Sequence, residues 1–260
     1  MGGVSQSQLA IDQHSRQADE FLSRYQALTE NAYRSCFTYS RNRLNVWLDR
    51  LLPKDGKGLR LLDLGCGTGN HIARYGTRGF ETAGVDGSEK MLEHARVANP
   101  SAILELADVE HIPFDEASFD FVLCVEVLRY LPDAAPSIRE IARVLRPGGT
   151  CLATATPILN LNGYSAIDRI AGLVPLGDLT RLKQFFTSSG QLRRQFTAAG
   201  FHRPLVHGVY LGPVNWIERL APSVLPLALK WWEPLDAAMS DLPFLRELSN
   251  MFLVHAVRRR

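Results

Sequence analysis

Apolar positions along the chain change their spacing from segment to segment, and each spacing predicts a different element. Residues 1–16 are polar and predict a flexible N-terminus. Phe21, Tyr25 and Leu28 then recur at helical spacing, as do Leu44, Trp47, Leu48 and Leu51. They predict two amphipathic helices, ended by Pro53 and the Lys54–Gly58 loop. From Leu59 the pattern alternates. Leu59–Leu64, Glu81–Val85, Ala102–Leu106, Phe119–Val125 and Cys151–Ala155 read as strands. Between them Asn70–Tyr75 begins a helix, and Ser88 caps one carrying Met91, Leu92 and Ala95. Ile138, Ile141 and Leu145 mark another, broken by Pro147-Gly148-Gly149. The alternation predicts an α/β fold, a parallel sheet with helices on both faces. Phe119–Val125 is almost continuously apolar and so reads as buried on both sides.

The regularity stops after Pro157. Ser188 and Gln191 form a capping box for a helix with Leu192 and Phe196 on one face, and Gly200 ends it. Phe201–Leu211 and Met251–Val257 read as the last two strands. The stretch between them is too long for a hairpin loop and predicts an insertion with its own helices. No linker divides the chain. The expected organisation is one domain over 17–260: a helical cap at 17–57, a core at 58–157, and insertions at 158–186 and 212–250.

Composition narrows the class. The 29 Lys and Arg against 27 Asp and Glu leave a net charge of +2, no footprint for coating nucleic acid. Cys36, Cys66, Cys124 and Cys151 form no C-x-x-C pair, so neither a zinc site nor a redox pair is expected. Scattered thiols fit a reducing compartment, and 1–20 lacks the apolar core of a signal peptide, so the expected location is cytoplasmic. Leu220–Trp232 is apolar but too short to span a bilayer, which leaves only peripheral membrane contact open.

The strongest chemical signal is Leu61-Leu62-Asp63-Leu64-Gly65-Cys66-Gly67-Thr68-Gly69-Asn70. A buried strand runs into three glycines at alternate positions and then into a helix. That is the carboxyl end of a parallel strand, where open α/β sheets bind ligands. Dinucleotide enzymes use G-x-G-x-x-G there; here the third glycine comes one residue earlier. Asp86 ends the second strand, where a carboxylate can accept from both ribose hydroxyls. Asp108 ends the third and can accept from an adenine amine, while the Val109 amide can donate to a ring nitrogen. The fourth strand brings Cys124 and Glu126 to the same edge.

In this order and spacing the motifs resemble the class I S-adenosylmethionine-dependent methyltransferases, in their small-molecule, methyltransferase type 11-like group. The resemblance covers residues 58–157 plus Ala198-Ala199-Gly200-Phe201 before the sixth strand. It implies a Rossmann-like seven-stranded sheet whose last strand is antiparallel, with S-adenosylmethionine across strands one to four. It also implies roles. Asp63 would order the glycine loop of Gly65, Cys66, Gly67 and Gly69 near the methionine amine, with the Gly65 and Cys124 carbonyls accepting from that amine. Asp86 would hold the ribose, and Asp108 with Val109 would read the adenine. Gly87 and Met91 would pack on its faces. Tyr39 and Arg41 are candidates for the methionine carboxylate.

Relatives often place a His after the fourth strand; this chain has Arg129-Tyr130 in Val127-Leu128-Arg129-Tyr130-Leu131. Tyr130 and Glu126 are therefore the catalytic candidates by position. Alignment alone supplies much of the barrier reduction in methyl transfer, so a strong base is not obligatory. The expected acceptor is a small, largely apolar molecule methylated at oxygen beneath a roof of Tyr164, Trp216, Leu220 and the Trp231-Trp232 pair. A non-catalytic cofactor-binding regulator and an RNA methyltransferase are the alternatives. The oligomeric state is not encoded in any motif.

Overall fold

The computed structural model describes residues 5–163 and 183–260. Three helices precede the sheet: α1 (Gln6–Arg16), α2 (Ala18–Glu30) and α3 (Cys36–Leu51). The first lies in the segment whose polarity predicts flexibility. Polar composition hides a narrow contact face: Ala10 is buried, and the Ser15 hydroxyl bonds that of Ser88 at 2.6 Å. Ser5 caps α1 by accepting from the Gln8 amide at 3.1 Å, and Ser35 with Thr38 builds a full capping box on α3.

The core then alternates as its pattern predicts: β1 (Arg60–Leu64), α4 (Asn70–Gly76), β2 (Glu81–Asp86), α5 (Glu89–Ala98), β3 (Ile103–Leu106), β4 (Phe119–Cys124), α6 (Ala135–Val144) and β5 (Leu145–Pro157). The later elements are the two-residue β6 (Phe186–Thr187), α7 (Ser189–Ala198), β7 (Phe201–Gly208), α8 (Val214–Leu220), α9 (Leu225–Met239) and β8 (Phe252–Arg258). The strand order is β3-β2-β1-β4-β5-β8-β7, with β6 beside the end of β5. Strand β8 runs antiparallel to both β5 and β7. This is the Rossmann-like arrangement with a reversed last strand.

Period-two alternation fills both faces. Leu62, Val122, Cys151 and Val254 join one buried cluster, and their neighbours Leu61, Leu123, Leu152 and Leu253 join the other. Strand β5 begins six residues earlier than its apolar run suggests. Pro147-Gly148-Gly149 does not separate helix from strand; it bulges within β5, where pairing jumps from Phe119↔Leu145 to Phe121↔Thr150. Pro and Gly are tolerated in strands at such irregularities. The Ser188 hydroxyl accepts from the Gln191 amide at 3.3 Å, the capping half of the expected box.

The 212–250 insertion carries helices, as expected, but docks on α3. Asp236 on α9 is fully buried; it accepts from the Tyr39 hydroxyl and the Leu211 amide, both at 2.6 Å, and lies 3.1 Å from Arg43 Nε. The outer face of α9 leaves Leu227, Trp231 and Leu235 exposed. Among the described residues no helix is long and apolar enough to cross a membrane.

Candidate active site

Four strands end at one edge, and a cleft of about 1070 Å³ opens there. Its floor is the glycine turn. Gly65, Gly67 and Gly69 all take positive φ (73°, 52° and 79°), the left-handed region that glycine enters without penalty. Gly65 and Gly67 line the cleft with Cys66. Gly69 does not; a Cβ there would lie 2.5 Å from the Asn99 side chain and 3.1 Å from Ala95 Cβ, so this glycine lets α4 and α5 meet.

Asp86 stands at the end of β2 with both oxygens used: one accepts from the Gly67 amide at 2.8 Å, the other from the Ser88 amide at 2.9 Å. Burial nevertheless pushes its carboxyl up, against those amides. Gly87, Met91, Asp108 and Val109 continue the wall, with Asp108 oriented by the Glu110 amide at 2.8 Å. Arg41, Glu126 and Tyr130 close the far end.

Tyr39, Asp63 and Cys124 do not line the cleft. Tyr39 is the correction among the predicted ligands. Its ring is fully buried and its hydroxyl is spent on Asp236, so of the N-terminal pair only Arg41 reaches the site. The Cys124 thiol is buried and pushed up by burial. Asp63 lies buried, and its Oδ2 has no partner. Burial, with the Asp86 charge adding to it, pushes the Asp63 carboxyl up to about 7.

The Asp63 shift has a sign that can be tested. The folded chain holds this proton more tightly than the unfolded chain, so stability falls as pH rises from the ordinary carboxylate range towards about 7 and stays reduced above it. Asp63→Asn is expected to raise the melting temperature at about pH 8 and to lose that advantage below about pH 4. Thermal melts across pH measure this. An Asn variant no more stable than wild type at the higher pH would show that the carboxylate is not buried at a cost.

Glu126 is held differently. It adopts φ 63°, rare for a non-glycine residue, with its amide donating to Thr154 Oγ1 at 2.7 Å. Burial alone would raise its carboxyl; Arg129, which bonds it directly, and Arg41 at 3.8 Å more than offset this and hold it low. A carboxylate gripped by two guanidinium groups is a weak base. Arg129 also bonds Gln184, and its carbonyl accepts from the Phe185 amide at 2.8 Å, which ties the end of the first insertion to the site.

The sequence places Phe21 and Tyr25 in a helical cap, but the α1 part of the cleft's cover was missed. Ser7, Ala10, Ile11 and His14 on α1, with Phe21 and Tyr25 on α2, form its outer wall. A Cβ on Gly87 would lie 2.5 Å from Ile11, so the helix rests directly on the β2 turn. The signal was present: positions 7, 10, 11 and 14 share one helical face. His71 also lines the cleft; burial first, then the Arg41 and Arg74 charges, depress it to about 3, so it is neutral.

A second, more polar cavity adjoins the first and shares Phe21, Arg41, Glu126 and Tyr130 with it. Arg24, Arg34, Arg129, Asn215 and Glu218 give it a polar wall. The apolar roof expected from the insertions is not found in the described part. Trp216, Leu220, Trp231 and Trp232 line neither cavity; Trp231 faces outward and the Trp232 indole donates to the Leu211 carbonyl at 3.1 Å. Tyr164 lies outside the described residues.

The donor set fits S-adenosylmethionine. An amino-acid tail needs a buried cation and a buried anion. Arg41, in the cleft wall, has Nε and Nη1 without partners, and Asp63, outside the lining, has an unpartnered Oδ2. Asp86 and the β3 turn present acceptors where a nucleoside would lie.

Comparison with known proteins agrees. A family model described as a methyltransferase domain matches residues 62–153. The ubiquinone biosynthesis O-methyltransferase of Thiobacillus denitrificans is 30% identical over 67% of this chain and 77% of its own length. The malonyl-[acyl-carrier protein] O-methyltransferase of Erwinia pyrifoliae is 33% identical over 59% of each chain. An uncharacterized methyltransferase of Mycobacterium tuberculosis is 42% identical over 39% of this chain, and the match spans 41% of that protein. Among solved structures, a Thermotoga maritima S-adenosylmethionine-dependent methyltransferase superposes with a TM-score of 0.60 at 20% identity, over 94% of this chain and 98% of that one. With the motif order, the sheet topology and these relatives, the chain belongs to the class I S-adenosylmethionine-dependent methyltransferases.

Proposed function

We propose that the chain methylates a small molecule at oxygen, with S-adenosylmethionine in the first cleft and the acceptor in the second cavity. The carrying observation is the shared wall of Phe21, Arg41, Glu126 and Tyr130. Two ligands divided by those side chains would meet there. Arg41 would hold the methionine carboxylate and Asp63 the ammonium, through the glycine loop. Asp86 would hold the ribose; Asp108 and the Val109 amide would read the adenine. When bound, the sulfonium supplies an electrophilic methyl group.

The acceptor's reacting end is polar on this reading, since the described wall of the second cavity carries Arg24, Arg34, Arg129 and Asn215. Tyr130 is the better placed of the two catalytic candidates. Burial keeps its phenol protonated, so it serves as a hydrogen-bond donor that orients the acceptor. Glu126, held by Arg129 and Arg41, positions those guanidinium groups and does not take a proton. The O-methyltransferases among the relatives support the choice of oxygen. Four buried free thiols suit a cytoplasmic location.

The test is methyl-labelled S-adenosylmethionine offered with phenols, catechols and carboxylic acids, and separately with RNA. Label on a small-molecule oxygen is the expected result. Label on RNA would replace this reading with an RNA methyltransferase. Tight cofactor binding with transfer to nothing would favour the regulatory alternative.

A further inference from the structure

We propose that His14, on the helix that covers the cleft, is the general base that takes the acceptor's proton. The inference rests on the two-cavity reading above and deepens it. His14 Nδ1 lies 2.7 Å from the Ala10 carbonyl one turn back on α1. A carbonyl only accepts, so Nδ1 carries the ring hydrogen. The neutral imidazole then has its lone pair on Nε2. The ring lines the first cleft, stacks on Phe21 at 5.4 Å and meets Tyr130 edge-on at 5.1 Å. Phe21 and Tyr130 are two of the four residues common to both cavities. The base therefore stands beside the wall where donor and acceptor meet.

The surrounding charges suit it. A charge gained by His14 would be felt by the Glu126 and Asp86 carboxyls, at the ends of β4 and β2. Glu126 is already neutralised by Arg129 and Arg41, and Tyr130 and Tyr25 are protonated phenols. On α1 itself Asp12 and Arg16 flank the ring in sequence. Asp86 is occupied by two backbone amides. Of the two imidazoles that line the cleft, His71 is buried on α4 and depressed to about 3, which makes it a poor base, while His14 stands on the cover against Tyr130. In the step, the acceptor oxygen forms a bond to the methyl carbon as the carbon–sulfur bond breaks. The acceptor's O–H proton passes to Nε2, and the sulfonium leaves as the neutral thioether S-adenosylhomocysteine. The turn after β4 has no histidine, and α1 brings one to it from the opposite wall.

Two measurements test this without an acceptor. The first is nitrogen-15 NMR of the imidazole in the whole chain, which reads the tautomer. The expected form is protonated at Nδ1 and bare at Nε2; the opposite tautomer overturns the proposal. The second is calorimetric affinity for S-adenosylmethionine and S-adenosylhomocysteine between about pH 8 and pH 5.5, where an imidazole gains its charge. Adenine, ribose, ammonium and carboxylate are common to both ligands, so contacts to those groups cancel in the ratio, and any effect of Asp63 or Asp86 titration on the sulfonium persists in His14→Gln. Only the sulfonium charge differs. Protonation of a base beside the methyl group should lower the relative affinity for S-adenosylmethionine by about threefold or more in wild type, and His14→Gln should clearly shrink the change. A ratio that is flat in wild type, or that changes equally in His14→Gln, places His14 away from the methyl group and overturns the proposal. S-adenosylhomocysteine affinity at about pH 8 reports whether the variant keeps its fold. If wild type binds neither ligand, the two-cavity reading fails, an outcome distinct from the failure of His14.

Discussion

Asp86→Ala is expected to weaken S-adenosylmethionine binding by at least tenfold, about 1.4 kcal/mol. Two effects add. On the proposed function the acceptor for the ribose hydroxyls is removed, and the Gly67 and Ser88 amides lose the carboxylate that fixes them at 2.8 and 2.9 Å. The first amide belongs to the glycine turn and the second leads into α5, so one side chain holds two walls of the cleft. Asp86→Asn separates the effects. One amide oxygen still accepts, but the other position becomes a donor facing an N–H. The Asn variant should lie between wild type and Ala. Calorimetry on both measures it, and unchanged affinity in the Ala variant would remove Asp86 from the cofactor.

How much of this was legible follows from where each constraint acts. The strand-end wall of the cleft was readable because backbone geometry dictates it. Gly65 and Gly67 need positive φ, Asp86 and Asp108 fall at strand ends, and Ser88 caps α5 by accepting from the Met91 amide at 3.2 Å. Such requirements are local and leave residue types behind. Tyr39 and Arg41 show the limit. Both lie on α3 two residues apart, so they point to different sides of the helix, and only tertiary packing decides which meets the cleft. Arg41 does; Tyr39 turns to Asp236, 197 residues away in sequence. The α1 cover was obscured for another reason. A helix lying on a ligand cleft needs only a narrow apolar face, and Ala10, Ile11 and His14 carry too little hydrophobicity to stand out among Gln, Ser and Asp. The insertion tryptophans failed oppositely: apolar residues near a site in chain order were assigned to it, yet α9 packs against α3 and turns Trp231 outward.

Asp236→Ala is expected to cost about 3–5 kcal/mol of folding stability, the largest single loss foreseen for this chain. Arg43 is 4% exposed, and its guanidinium pairs with Asp236 at 3.1 Å and more distantly with Glu233 at 3.8 Å. Removing the nearer carboxylate leaves a buried cation with a weak counter-charge, a buried Tyr39 hydroxyl without its acceptor, and an unpaired Leu211 amide. Each is a desolvated polar group, and such losses exceed the worth of the bonds themselves. Burial raises the Asp236 carboxyl even with Tyr39, Leu211 and Arg43 opposing it, so the carboxylate itself sits there at a cost. Replacing the ion pair as a unit should therefore be milder: Asp236→Leu combined with Arg43→Met and Tyr39→Phe is expected to recover most of the loss. Urea denaturation of the single and triple variants measures both. None of these side chains lines the cleft, so S-adenosylmethionine affinity should survive in whatever fraction remains folded. A single variant within about 1 kcal/mol of wild type would mean that water reaches Arg43 and that α9 is not anchored to α3 through this cluster.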